Sequence, residues 1–137
     1  MQLVANHATR LYQQSPSDLM PWLQKQKGLL DRIEPSLLRF EPGVYKRIRL
    51  AKTQALQIIL IVWGTGADSG YKQERGCWMR VLAGTLYEFK KETVLRLAVD
   101  SVSFLKGSTG ISRIVAHTSA VSLHIYALKP PGSSIYL

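Results

Sequence analysis

Cys77-Trp78-Met79-Arg80-Val81-Leu82-Ala83-Gly84-Thr85-Leu86-Tyr87-Glu88-Phe89 is the stretch on which the fold turns. Apolar and aromatic residues dominate both halves, and Gly84 divides them as a turn between two strands would. The same grammar runs outward from it. Upstream, Tyr45–Leu50 and Leu56–Trp63 read as strands; downstream, Leu95–Leu97, Val102–Leu105, Ile111–Val115 and Ala120–Leu128 do. The breaks carry Gly64, Gly66, Gly70, Gly107 and Gly110. Many short strands at this spacing predict a double-sheet jelly roll or a closed barrel, architectures that limit exposed sheet edges. Before Glu41-Pro42-Gly43 the pattern is helical. Leu3, His7 and Leu11 share one helical face, read as packing. Ser15-Pro16-Ser17-Asp18 is a break with a plausible N-cap, and Pro21 is tolerated in the first turn that follows. Leu19, Trp22 and Leu23 continue at helical spacing until Gly28 or Pro35. The expected organisation is a helical segment over residues 1–36 packed on a β-barrel over residues 37–137.

Composition bounds the rest. A chain of 137 residues is one domain. It can bury roughly two-thirds of its unfolded surface. The longest apolar run, Ile58 to Trp63, is far too short to span a bilayer as a helix, and Met1 to Tyr12 lacks the apolar stretch of a signal peptide. No membrane association is expected. One cysteine, Cys77, rules out an intrachain disulfide and suits a cytoplasmic location. The net charge of +9 raises nucleic acid or an anionic membrane as partners. The basic residues are scattered, however, with short clusters only at Lys46-Arg47-Ile48-Arg49 and Lys90-Lys91, and no specific nucleic-acid binding is expected.

Tyr45-Lys46-Arg47 precedes an apolar strand that ends Trp63-Gly64-Thr65-Gly66. Val81-Leu82-Ala83-Gly84-Thr85-Leu86-Tyr87-Glu88, Gly110-Ile111-Ser112-Arg113 and Val121-Ser122-Leu123-His124-Ile125-Tyr126 follow, with Pro130-Pro131 beyond them. In that order and near that spacing, these pieces resemble cysteine dioxygenase and its bacterial relatives, which are cupins. The resemblance covers about residues 38 to 131. It implies a mainly β fold: a cupin-type double-stranded β-barrel, or jelly roll, with a short N-terminal helical segment.

The family's iron is held by three neutral imidazoles, and here those positions are altered. Counting forward from Trp63, the family's His-x-His falls on Lys72 and Glu74. Counting back from Gly84 it falls on Gly70 and Lys72, and a compromise register gives Tyr71 and Gln73. No histidine lies between His7 and His117, so every register loses the pair. The third ligand position falls on Ser112. An ammonium repels a dication and a serine hydroxyl is a poor ligand for it, so no cofactor is expected, with Fe(II) only if the site has been rebuilt around a residue such as Glu74. His7 reads as packing or surface, His117 as an exposed turn residue, and His124 as an outer-sphere residue of the family.

The other half of the family's site is present by resemblance. Arg47 matches the arginine that grips the substrate carboxylate, with Tyr45 on the same strand face. Ser122, His124 and Tyr126 match a hydrogen-bonded relay, and Cys77 matches a cysteine that some members join to that tyrosine; without iron, an unmodified thiol beside Tyr126 is expected. A plainer reading pairs Arg47 with an acid such as Glu88. The function expected is a non-catalytic, small-carboxylate-binding or regulatory protein. The alternatives are a thiol dioxygenase with a rebuilt metal site, and a barrel serving as a protein-interaction module, with a homodimer also open. Oxidising a thiolate with dioxygen needs a redox metal or a flavin, and no Gly-x-Gly-x-x-Gly stands between a strand and a helix here.

Overall fold

In the computed structural model, residues 1–73, 76–105 and 111–128 are described, with the backbone alone at Lys72, Gln73, Leu105 and Ile111. Helix α1 spans Gln2–Gln14 and α2 spans Leu19–Lys25, joined by a single 3-10 turn at Pro16–Asp18. Asp18 occupies the N-cap of α2 but makes no side-chain capping bond. Two further 3-10 turns, Leu30–Arg32 and Pro35–Leu37, lead to the first strand. The strands are β1 Tyr45–Lys52, β2 Leu56–Trp63, β3 Lys72–Gln73, β4 Cys77–Ala83, β5 Leu86–Lys90, β6 Thr93–Leu97, β7 Val102–Leu105, β8 Ile111–Val115 and β9 Ala120–Ala127.

They form two antiparallel sheets, a five-stranded one in the order β1-β2-β9-β4-β7 and a four-stranded one in the order β3-β8-β5-β6. Each sheet mixes strands distant in sequence, as a jelly roll does. The five-stranded sheet is covered on both faces, which is why β2 reads as an unbroken apolar run. Leu56, Ile58, Leu60 and Val62 pack outward on the helices, with Val121, Leu123 and Ile125 of β9 beside them. Ile59, Ile61 and Trp63 face inward, with Cys77, Met79 and Val81 of β4 and Leu86, Leu97 and Ile114 of the second sheet. The inner layer between the sheets is where a site can form.

The helical face that packs is Val4, Ala5, Ala8 and Tyr12, all buried. Of the Leu3–His7–Leu11 face, only Leu11 packs, half-buried against the same core: Leu3 is 83% exposed, and His7 lies at the surface, stacked on Trp22 at 5.3 Å. Small alanines let the helix approach the sheet, and they carry little hydrophobic signal of their own. Gly84 has φ +75°, and a Cβ there would lie 2.3 Å from the Ser119 carbonyl oxygen, so the β4–β5 turn admits only glycine. Among the described residues no helix is long and apolar enough to cross a membrane.

Candidate functional site

Strand β9 alternates. Val121, Leu123 and Ile125 join the helix-facing core, while Ser122, His124 and Tyr126 point between the sheets and are 0%, 2% and 8% exposed. Burying polar groups among Ile59, Ile61 and Met79 is unfavourable unless they are hydrogen-bonded. They are. Trp63 Nε1 donates to Ser122 Oγ at 2.8 Å, Ser122 Oγ lies 2.7 Å from His124 Nε2, and His124 Nδ1 lies 3.8 Å from Cys77 Sγ. The indole is a donor only, so Ser122 Oγ accepts from it and shares a second hydrogen bond with His124 Nε2. Burial, with the Arg47 charge adding to it, holds the His124 pKa down to about 3. His124 is therefore uncharged at neutral pH, a relay of hydrogen bonds rather than a cation.

Cys77 and Tyr126 are direct cross-strand partners in the β4–β9 ladder, as Met79 and His124 are. The proximity expected from the resemblance is present in the backbone register. Cys77 is fully buried, and the Tyr126 ring stacks on His124 at 5.9 Å.

Arg47 sits on β1 opposite Ile61, and Tyr45 opposite Trp63. The Arg47 guanidinium lies 5.2 Å from the centroid of the Tyr126 ring, and Tyr45 stacks on Trp63 at 5.2 Å. Both therefore lie on the inner side of the sheet. Arg47 is nevertheless exposed, because β1 is the sheet's edge strand and the inner face opens to solvent there. Its partner is not Glu88. That residue is fully buried on β5, accepts a hydrogen bond from Ser103 at 3.1 Å, and stands 3.5 Å from Lys90. Its second carboxylate oxygen has no hydrogen-bond partner. Five residues foreseen for the site, Arg47, Cys77, Ser122, His124 and Tyr126, thus form one contiguous group, with Tyr45 reaching it through Trp63.

Two positions that the resemblance aligns with metal ligands fall together in the other sheet. Lys72 of β3 pairs in register with Ser112 of β8, and Ser112 is buried. Glu74 lies outside the described residues. The donor set does not fit Fe(II). Ser112 offers a hydroxyl, His124 has both ring nitrogens engaged on β9, and no group of three or more His, Cys, Asp or Glu among the described residues is placed to hold a metal. Arg113, next to Ser112, points the other way and grips Asp68 through Nε at 3.0 and 2.9 Å.

Comparison with solved structures decides the fold. A cupin superfamily protein from Desulfitobacterium hafniense superposes with a TM-score of 0.62 at 18% identity, over 69% of this chain and 86% of that one. An RmlC-like cupin from Shewanella frigidimarina gives 0.58 at 16%, over 71% and 89%. The fold is that of the cupins. KdgF from Halomonas sp. gives 0.58 at 18% identity, over 66% and 85% of the two chains. No protein-family model matches the chain, and no curated protein matches it significantly. At these identities the likeness speaks for the cupin fold alone.

Four residues take roles here that the sequence did not assign them. Trp63 anchors the relay from β2, a contact made across 59 residues of chain. Arg49 shares the inner side of β1 with Arg47, opposite Ile59. Glu88 and Ser103 add a polar pair inside the cupin barrel. Only Arg49 left a usable signal, the alternation Tyr45, Arg47, Arg49 along one strand.

Proposed function

We propose that this cupin is a non-catalytic binding or regulatory protein, a relative of the cysteine dioxygenases in site design, that takes a small carboxylate at the open edge of its inner face. One observation carries the reading. An exposed guanidinium, Arg47, lies against Tyr126 on the same inner face as the Trp63–Ser122–His124–Cys77 relay, with no acid paired to it among the described residues. A guanidinium grips a carboxylate through two parallel hydrogen bonds. The neutral relay beneath it fixes Tyr126 without adding charge of its own. The positions equivalent to iron ligands, Lys72 and Ser112, carry no imidazole, which speaks for binding rather than oxygen chemistry. A single cysteine fits a cytoplasmic setting.

Calorimetry tests it. Small monocarboxylates such as butyrate or cysteine should bind weakly to the wild type, and Arg47→Ala should weaken them about ten- to a hundredfold, the loss of one charge-assisted contact. No binding, or equal binding to the variant, would remove the site. Anaerobic loading with Fe(II) and elemental analysis tests the non-catalytic half. One tightly held iron per chain would restore the oxygenase alternative.

A further inference from the structure

We infer that the ligand is a small dianion, held between Arg47 and Arg49 on the inner side of β1; this rests on the carboxylate-binding reading above and narrows it. The two arginines alternate along the strand, and their register partners, Ile61 and Ile59, both face the inter-sheet core. The register shift in this ladder comes only after Arg49, so the pair stays in phase. Two residues along a strand separate their Cα atoms by about 7 Å. Long side chains from such positions can converge on one group or span a short chain with a charge at each end.

Charge makes the case specific. Both arginines are exposed, and no acid is paired with either: the ion pairs among the described residues use Lys46, Arg80, Lys90 and Arg113. Among the described residues, the buried acid of the inner layer, Glu88, is engaged by Ser103 and Lys90 instead. His124 is neutral, and its pKa is pressed down partly by Arg47 itself. On β2 the inner neighbours of the pair are Ile59 and Ile61, and on β9 they are Ser122, His124 and Tyr126. Two like charges held side by side over an uncharged floor are unfavourable until an anion enters. A monoanion answers one of them; a dicarboxylate or a phosphoryl group answers both.

Isothermal titration at 0.15 M salt compares butyrate, succinate and inorganic phosphate on the full chain. Succinate or phosphate should bind at least tenfold tighter than butyrate, and the stronger of the two identifies the anion class. Arg49→Ala should abolish that preference, bringing succinate and phosphate down to the affinity of butyrate, while Arg47→Ala weakens all three. Lys25→Ala removes an equal charge from the helical layer on the far side of the sheet and should change nothing. Equal affinity for butyrate and succinate, with phosphate no better, would overturn the dianion while leaving the carboxylate site intact. A preference surviving in Arg49→Ala, or lost equally in Lys25→Ala, would overturn the pairing. No binding of any of the three would sink the parent reading as well.

Discussion

His124 is 2% exposed, bonded at both ring nitrogens, and held neutral with a pKa of about 3. In the unfolded chain its pKa returns to about 6.5. The sign follows from proton counting. Between those values the unfolded state binds a proton that the folded state refuses, so stability rises with pH through this window. Its contribution is fully present above about pH 6.5 and falls on acidification, by about 1.4 kcal/mol per pH unit while only the unfolded ring titrates. His124→Gln should flatten the stability profile between pH 6 and 4 by that slope, even if it is less stable at pH 7. Denaturant unfolding at several pH values measures it. Parallel profiles for wild type and variant would mean that His124 is accessible to protons. The position was legible because Ser122, His124 and Tyr126 interrupt an apolar strand at every second residue. The hydrogen-bond chain was not, since it runs through Trp63, which meets Ser122 only through strand pairing.

Arg80 ties the elements together. It lies on the helix-facing side of β4, 7% exposed, where an arginine would be an error without partners. Its Nη1 donates to the carbonyls of Leu23 at 2.7 Å and Gln26 at 2.5 Å, and its Nη2 to Asp100 at 2.9 Å. Both carbonyls lie at the end of α2, a helix of seven residues that is marginal alone, and that of Leu23 also accepts the Gln26 N–H at 3.3 Å. Arg80→Met should destabilise the protein by about 2–4 kcal/mol, through the lost charge-assisted bonds that tie β4 to the end of α2. Arg80→Lys should recover little, because a point charge cannot serve the same spread of acceptors. A loss under about 0.5 kcal/mol in denaturant melts would show that the helices dock without the clamp. Strand limits at this scale were readable: Leu56–Trp63 and Cys77–Ala83 match residue for residue. The strand at Lys72–Gln73 was not, because two polar residues carry no pattern and are ordered only by pairing with β8. The packing face of α1 escaped because alanine marks close approach by size rather than by hydrophobicity.

At the scale of the whole molecule the question is what a net charge of +9 does. The jelly roll was legible from strand spacing and glycine breaks, but the distribution of charge over it needed the topology. Lys25, Lys27 and Arg32 lie in the helical layer, Lys52 at the end of β1, Lys91 in the β5–β6 turn and Arg96 on β6, all exposed. These positions belong to different faces of the two-sheet body rather than to one stripe along it. Arg47 and Arg49 stand together on one face, at the edge of the inter-sheet space. A nucleic-acid groove would need a continuous basic track with base-reading side chains. What remains is a diffuse attraction driven by counterion release, and that term falls linearly in log affinity with log salt. Fluorescence anisotropy with single- and double-stranded oligonucleotides of several sequences should therefore show binding at low salt that is independent of sequence. It should be lost by about 0.2 M salt, where a site making many phosphate contacts would already be weakened about a thousandfold or more. Arg47→Ala and Lys25→Ala should reduce it alike, one counterion each. Sequence preference that survives physiological salt, or a collapse specific to one variant, would place a nucleic-acid interface ahead of the small anion.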